Sequence, residues 1–366
     1  MINRRLISNF NWLFFLTCFG IAILGVVTIY SANHGRPEAF FRGLYIKQIY
    51  WIGYGLVAMF IALVLDYRMF SRYAYLIYFL TLLALAYVLV NGVIASGARR
   101  WIHIGSISIQ VSEFAKVSLI IALAKYFESG KMSNQYTLKD LIIPALMTAA
   151  LGGLIVVQPD LGTTMMILFI FLVFVAAIEL ERKTLIKLFT GGLMLAPTLW
   201  LFLKDYQKSR LLTLFNPELD PLGAGYHSIQ SKIAIGSGGF WGKGLLAGTQ
   251  SRLNFLPEKH TDFIFAVFAE ETGFFGVVIL LSLFLFVILK GLNIAFRAAD
   301  RFGFFLSLGL VSSITFYVIF NVGMTIGLFP ITGIPLPLLS YGGSSLITHF
   351  FAVGLLLNVE MRRYIH

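Results

Sequence analysis

Leu256-Pro-Glu-Lys-His-Thr-Asp-Phe-Ile-Phe265, followed by a mostly apolar run to Lys290, is the stretch on which the fold turns. Only 12% of the chain is Asp, Glu, Lys or Arg. This decapeptide nevertheless holds Glu258, Lys259 and Asp262, with His260 among them. The run beyond it is long enough to cross ~30 Å of hydrocarbon as a helix. A carboxylate at the mouth of a membrane helix costs desolvation free energy, and a protein carries that cost mainly where the charge is used. Pro257 breaks the preceding backbone, so the cluster is expected in a shaped loop feeding a helix near Asp262. The plainer alternative is a helix cap, with Thr261 or Asp262 satisfying the free N–H groups of the first turn. Capping alone does not call for Glu, Lys and His alongside.

The rest of the chain has the same apolar character. Hydrophobic residues make up 58%, against ~45–50% in ordinary soluble domains. Membrane-length apolar runs recur at roughly 12–31, 46–65, 73–93, 112–127, 141–158, 163–180, 185–203, 263–290, 304–328 and 343–361. Continuous runs of this length suit helices, not the ~10-residue alternating strands of an outer-membrane barrel. The expected fold is all-α: a polytopic integral membrane helical bundle of about ten transmembrane helices. It forms one domain over residues 1–366, with one large extramembrane loop at 204–262.

Basic residues set the orientation. With the N-terminus in the cytoplasm, the inner connections carry 15 Lys and Arg, among them Arg4, Arg5, Arg68, Arg72, Lys183 and Arg301. The short outer connections carry five: Arg36, Arg42, Lys47, Arg99 and Arg100. That bias is the positive-inside signature, with both termini inside and loop 204–262 on the periplasmic side. The net charge of +11 is then anchorage to anionic membrane lipids, not a nucleic-acid footprint. Cys18, the single cysteine, falls in the first span and excludes a disulfide within the chain. The first run is too long for a signal peptide and reads as an uncleaved anchor.

Eight of the ten prolines lie on the outer side, where irregular backbone usually carries a site. Residues 99–111 alternate apolar and polar at period two and are expected along the outer interface, with Trp101 and the arginines as anchors. The glycines of Ile235-Gly-Ser-Gly-Gly-Phe-Trp-Gly-Lys-Gly244 lack the strand–helix frame and Lys-Ser/Thr ending of a phosphate-binding loop. They suit tight turns and close backbone approach instead. Ile229–Ile235, with Lys232, has the pattern of a short amphipathic helix at the membrane surface. No internal repeat is evident, which weighs against a secondary transporter.

Four polar sets converge on the outer face. Gln110-Val-Ser-Glu-Phe-Ala-Lys116 opens the fourth helix, and its Glu113 and Lys116, spaced i,i+3, share a face and neutralise each other. Gln158-Pro-Asp-Leu-Gly-Thr163 offers Asp160 in a proline-bent turn. Asp205-Tyr-Gln-Lys-Ser-Arg210 leads to Asn216 through His227, and the opening cluster supplies the fourth set. Together they suggest a shared water-filled cavity; scattered structural ion pairs are the alternative for Glu113–Lys116 and Asp160. Glu270 and Glu271 lie deeper on the same helix as Asp262, one placed to line the cavity and the other to pair with a neighbouring helix. His34, His103, His227, His260 and His349 show no metal-ligand spacing, so no metal site is assigned.

In order along the chain stand Gly97-Ala-Arg-Arg-Trp101, Gln110-x-Ser-Glu-x-x-Lys116, Gln158-Pro-Asp-Leu-Gly-Thr163, Asp220-Pro-Leu-Gly-Ala-Gly-Tyr226, Gln230-Ser-Lys-Ile-Ala-Ile-Gly-Ser-Gly-Gly239, Leu256-Pro-Glu-x-His-Thr-Asp-Phe-Ile-Phe265 and Pro335-Leu-Pro-Leu-Leu-Ser-Tyr-Gly-Gly-Ser344. The series resembles the SEDS (shape, elongation, division, sporulation) family over essentially the whole length, with wording nearer its elongation branch than its division branch. The resemblance implies a peptidoglycan glycosyltransferase that polymerises lipid II at the outer face of the bacterial inner membrane. It also implies a class B penicillin-binding protein, the cross-linking transpeptidase, as partner, alongside other proteins of the elongation complex. It places the family's catalytic aspartate on Asp262, its Glu–Lys pair on Glu113 and Lys116, and its buried aspartate on Asp160.

The chemistry fits that expectation. A sugar hydroxyl is a poor nucleophile, so a carboxylate within hydrogen-bond reach should take its proton as it attacks the donor's anomeric carbon. Asp262 is placed for this role. The polyprenyl pyrophosphate that leaves needs countercharge, for which Lys116, Arg210, Lys232, Lys243 and Lys259 are candidates. A divalent cation, Mg or Mn, is an optional helper. An apolar groove between helices would take the polyprenyl tail. A flippase for lipid-linked precursors is the rival reading, but it would need polar groups at mid-depth and on the inner side, where this sequence has few. A non-catalytic scaffold of the elongation machinery would leave the cluster around Asp262 unexplained.

Overall fold

The computed structural model describes residues 9–34, 43–95, 98–105, 107–130, 135–202, 205–217, 220, 223–252, 255–256 and 258–363. Arg4, Arg5, Arg36, Arg42, Gly97, Pro221, Leu222 and Pro257, used above, lie outside the described residues.

Each expected span is a helix. They are α1 (Trp12–Asn33), α2 (Leu44–Val64), α4 (Ala74–Asn91), α5 (Val111–Glu128), α6 (Ile142–Val157), α7 (Leu161–Ala176), α8 (Arg182–Phe202), α12 (Ile264–Phe296), α13 (Arg301–Ile326) and α14 (Gly343–Met361). A short α3 (Tyr67–Arg72) links α2 to α4. Polar residues mark several starts: Asn11 accepts from Phe14 N at 3.0 Å, and Asp300 accepts from Gly303 N at 2.7 Å. Among the described residues seven spans, one of them α6 with the turn before it, are long and apolar enough to cross a membrane. Two of the others differ visibly: α5 carries Glu113, Lys116, Lys125 and Glu128, and α7 is 16 residues long.

The period-two stretch is β-structure. It forms β2 (Ala98–Ile104) and β3 (Ile107–Gln110), with β1 (Val93–Ala95) completing a small antiparallel sheet in the order β1-β2-β3. Trp101 pairs with Gln110 across β2 and β3, which brings β2 beside the N-terminus of α5. The loop after α8 is largely helical too: α9 (Asp205–Phe215), α10 (Ala224–Ser237) and α11 (Thr249–Arg252). Helix α10 docks on α12 and α13, with Ser231 and Ala234 buried and Lys232 and Ile233 exposed. Its Ser231 Oγ donates to Thr325 O at 2.7 Å.

Helices α13 and α14 are largely enclosed, with 78% of an 18-residue stretch of each buried. In lipid every polar group must find a partner inside the protein. Asn358 of α14 accordingly sits 2.6 and 3.0 Å from the Ala62 and Leu63 carbonyls at the end of α2. At this same end, away from β2 and α10, the charges are tied up between elements. Arg68 meets Asp300 at 3.1 Å, Lys290 meets Glu360 at 2.9 Å and Arg362 meets Asp66 at 3.2 Å.

One feature of α12 departs from the sequence expectation of an unbroken helix. Gly273, at φ 67° and ψ −164°, breaks it, and the glycine-rich loop fills the break. Lys243 N donates to Glu270 O and Gly244 N to Glu271 O, each at 3.0 Å, and a side chain at Gly242 or Gly273 would strike the facing backbone. The glycines thus serve close backbone approach, as expected.

Candidate active site

Asp262 sits in the turn before α12, where Thr261 N and Phe263 N both donate to Glu258 O at 3.1 and 3.3 Å. No side chain caps α12, so neither Thr261 nor Asp262 does the plain job of a cap there. The carboxylate instead faces a cavity of about 670 Å³, a size typical of small-ligand sites. Glu113, Asp160, Arg210, His227, Glu258 and Tyr317 also reach its wall. All four polar sets therefore meet in one space.

Burial pushes the Asp262 carboxyl up to about 7, the negative charge of Glu258 adds to the rise, and Arg210 opposes it. His227 is held below its ordinary value by burial, while Asp220 and Glu258 pull it upward and Arg210 pushes it further down. The cavity thus combines a carboxyl poised to exchange a proton near neutral pH with a fixed positive charge.

Glu113 and Lys116 form the expected pair, Nζ to Oε1 at 2.7 Å, with both side chains buried. Glu113 is on the cavity wall and Lys116 lies behind it, its ammonium 4.3 Å from the centre of the Tyr317 ring. Tyr317 donates from its hydroxyl to the same Glu113 oxygen at 3.0 Å. Asp160 caps α7, accepting from Thr163 N at 3.2 Å and Thr163 Oγ1 at 2.9 Å. The capping role weighed for Asp262 belongs to Asp160.

The other candidate cations divide. Arg210 lines the cavity. Lys232, Lys243 and Lys259 are not on its wall. Lys243 is taken by Glu270 at 2.8 Å and by the hydroxyls of Ser237 and Thr249, each at 2.7 Å. Lys259 is buried within its turn, and Lys232 lies on the exposed side of α10 against Gly327. Neither Glu270 nor Glu271 lines the cavity, contrary to the expectation for one of them. Glu270 also accepts from Thr249 N and Gln250 N at 2.7 and 3.0 Å, and Glu271 accepts from Ser31 of α1. Both carboxylates hold the loop down.

Arg100 is the residue sequence reasoning misassigned. Read as an interface anchor, it reaches under the cavity rim, where Nε donates to Gln158 O at 3.0 Å and Nη2 to Pro159 O at 2.5 Å. Its Nη1 stands 4.0 Å from Asp160. Tyr317 and the Thr332–Gly333 stretch of the wall were also missed, since each looks apolar or loop-like in isolation. Among the described residues no three His, Cys, Asp or Glu side chains gather as a metal-ligand set.

Comparison with known proteins places this geometry. The chain is 40% identical to the peptidoglycan glycosyltransferase MrdB of Escherichia coli K12 over 356 residues, 95% of this chain and 92% of that one. It is 35% identical to the peptidoglycan glycosyltransferase RodA of Treponema pallidum, covering 98% and 99%. A solved chain from a peptidoglycan synthase complex, described as coordinating polymerization and crosslinking, superposes with a TM-score of 0.82 at 36% identity, covering 98% and 99%. The family model described as FtsW/RodA/SpoVE cell cycle protein matches residues 11–365, and this chain belongs to that family.

Proposed function

We propose that this chain is a multi-pass membrane peptidoglycan glycosyltransferase that polymerises lipid II during cell elongation. The observation that carries the reading is the cavity itself. It holds a part-buried carboxyl raised to about 7, with an arginine on the same wall, in a space the size of a small-ligand site. Asp262 takes the proton of the acceptor hydroxyl as that oxygen attacks the anomeric carbon of the donor. The bond to the polyprenyl diphosphate breaks, and the leaving diphosphate gains its countercharge from Arg210. Lys232, Lys243 and Lys259 have no place in that step.

Among the described residues no three His, Cys, Asp or Glu side chains form a ready cage for a divalent cation, which would be held largely by the diphosphate, and no step is assigned to it. The reading puts the cavity on the periplasmic side of the inner membrane and both termini in the cytoplasm, in line with the basic-residue bias. The partner is a class B penicillin-binding protein, which cross-links the strands as they form. A flippase is disfavoured by the pairing of charged groups between elements at the opposite end, Arg68 with Asp300, Lys290 with Glu360 and Arg362 with Asp66.

The test is purified protein with labelled lipid II, with and without the transpeptidase partner, read as glycan chains on a gel. Chains from the native protein and none from Asp262→Asn are expected. Lipid II left unpolymerised by the native protein with its partner would sink the proposal.

A further inference from the structure

Three consecutive carbonyls of the Asp262 turn are each held by a donor from the far side of the bundle. Tyr341 N donates to His260 O at 2.9 Å, Ser340 Oγ to Thr261 O at 2.7 Å, and Asn321 Nδ2 to Asp262 O at 2.9 Å. The second and third come from side chains. Asn321, on α13, is wholly buried and is not on the cavity wall. Its amide nitrogen also donates to Ile334 O at 2.7 Å. Residues 331–335 form the wall facing Asp262, and a Cβ added at Gly333 would lie 3.3 Å from Asp262 Oδ2. One buried amide therefore ties the carbonyl of Asp262 to the carbonyl of Ile334, in the segment opposite its carboxylate.

We infer that Asn321 is a positioning residue for the transfer reaction, fixing the gap between the Asp262 carboxylate and the Thr332–Gly333 wall in which the acceptor hydroxyl must sit. The inference rests on Asp262 being the base. Asn321 carries no titratable proton and touches no substrate space, so it acts only through geometry. A misplacement of about 1 Å at a reacting group costs as much as ~10²-fold in rate. Ser340 does a smaller share of the same work: it also accepts from Leu336 N at 2.7 Å, and Gln48 Nε2 holds its carbonyl at 3.0 Å.

The groups facing Asp262 are Glu258 on its own turn, Arg210 of α9, His227 of α10, Asp160 at the cap of α7 with Arg100 of β2, Glu113 of α5, Tyr317 of α13, and Tyr341. None is on Asn321's side chain, so a change at Asn321 reaches the pH profile only by altering how closely water approaches Asp262. Asn321→Leu, which keeps volume and removes both N–H donors, is assayed with labelled lipid II for kcat, KM and the pH–rate curve. The expected result is kcat down about 10- to 100-fold, KM within about twofold, and the acid limb displaced to lower pH as water enters. Ser340→Ala, a milder change that removes the Thr261 tether and the acceptor of Leu336 N while leaving both Asn321 bonds in place, should show the same signature at about three- to tenfold, and it serves where Asn321→Leu does not fold. Native kcat and an unmoved acid limb in a folded variant of either kind would overturn the inference. Full activity of Asp262→Asn in the same assay would instead overturn the base assignment on which it stands.

Discussion

Lys116 Nζ lies 2.7 Å from Glu113 Oε1, and both side chains are closed off from solvent. Burying both charges is costly, so the pair is a weak source of stability, yet removing one partner strands the other. Glu113→Gln or Lys116→Met should each cost about 3–5 kcal/mol and abolish polymerisation. The exchanged double variant, Glu113→Lys with Lys116→Glu, should recover thermal stability in part. It should not recover activity, because it places an ammonium where Tyr317 now donates and where the cavity now meets a carboxylate. Melting curves and lipid II assays on the three variants check this.

Asp262→Asn should leave a folded protein and lower the rate by about 10²–10⁴. The native enzyme's rate should rise with pH through an acid limb near 7, the value to which Asp262 is raised. Its carboxyl stands above its ordinary 3.8, so ionisation opposes folding. That cost is absent below about pH 4 and complete above about pH 7. Asp262→Asn should thus melt higher than the native protein at pH 8 by about 1–2 kcal/mol, discounted for the water in the cavity, and by less at pH 5.

Asp160 offers a separable test of capping against chemistry. Asparagine caps a helix about as well as aspartate, whereas alanine costs about 0.5–2 kcal/mol. Asp160→Asn should keep native stability and most activity, and Asp160→Ala should lose both. An inactive but fully stable Asp160→Asn would move this carboxylate from the α7 cap into the reaction.

Cysteine at Ser237, exposed at the cavity end, should react with a membrane-impermeant maleimide in intact spheroplasts of a Cys18→Ser strain. Cysteine at Ser129, exposed just past the opposite end of α5, should react only after lysis. The reverse pattern would put Asp262 in the wrong compartment for polymerisation.

Spans and turns were legible in the sequence to the extent that one local property determined them. Apolar length alone located the ten long helices within a few residues, because hydrocarbon thickness sets that length. The Glu113–Lys116 pair was legible from its i,i+3 spacing, and the glycine-rich loop from what glycine permits. What escaped were contacts between distant segments. Nothing local to Arg100 says that it supports the Gln158–Asp160 turn, and nothing local to Glu270 says that it holds Lys243 and Thr249 rather than lining the cavity. Gly273 was read through as helix because a single glycine in a long apolar run is usually tolerated. The loop backbone that fills its break is thirty residues earlier.

That break also separates two environments. From Ile264 to Glu271 every residue of α12 is buried, whereas Phe274, Phe275, Val278 and Ile279 beyond Gly273 are 43–62% exposed on the bundle's outer surface. Bilayers vary in thickness, and a lipid-facing helix answers by tilting. A continuous rod would transmit that tilt to Asp262 like a lever. Here the glycine-rich loop grips the chain on both sides of the break, Glu270 and Glu271 above it and Phe274 below, and further down Lys290 is tied to Glu360. The turn that carries the carboxylate is thus anchored by the loop as well as by its own helix.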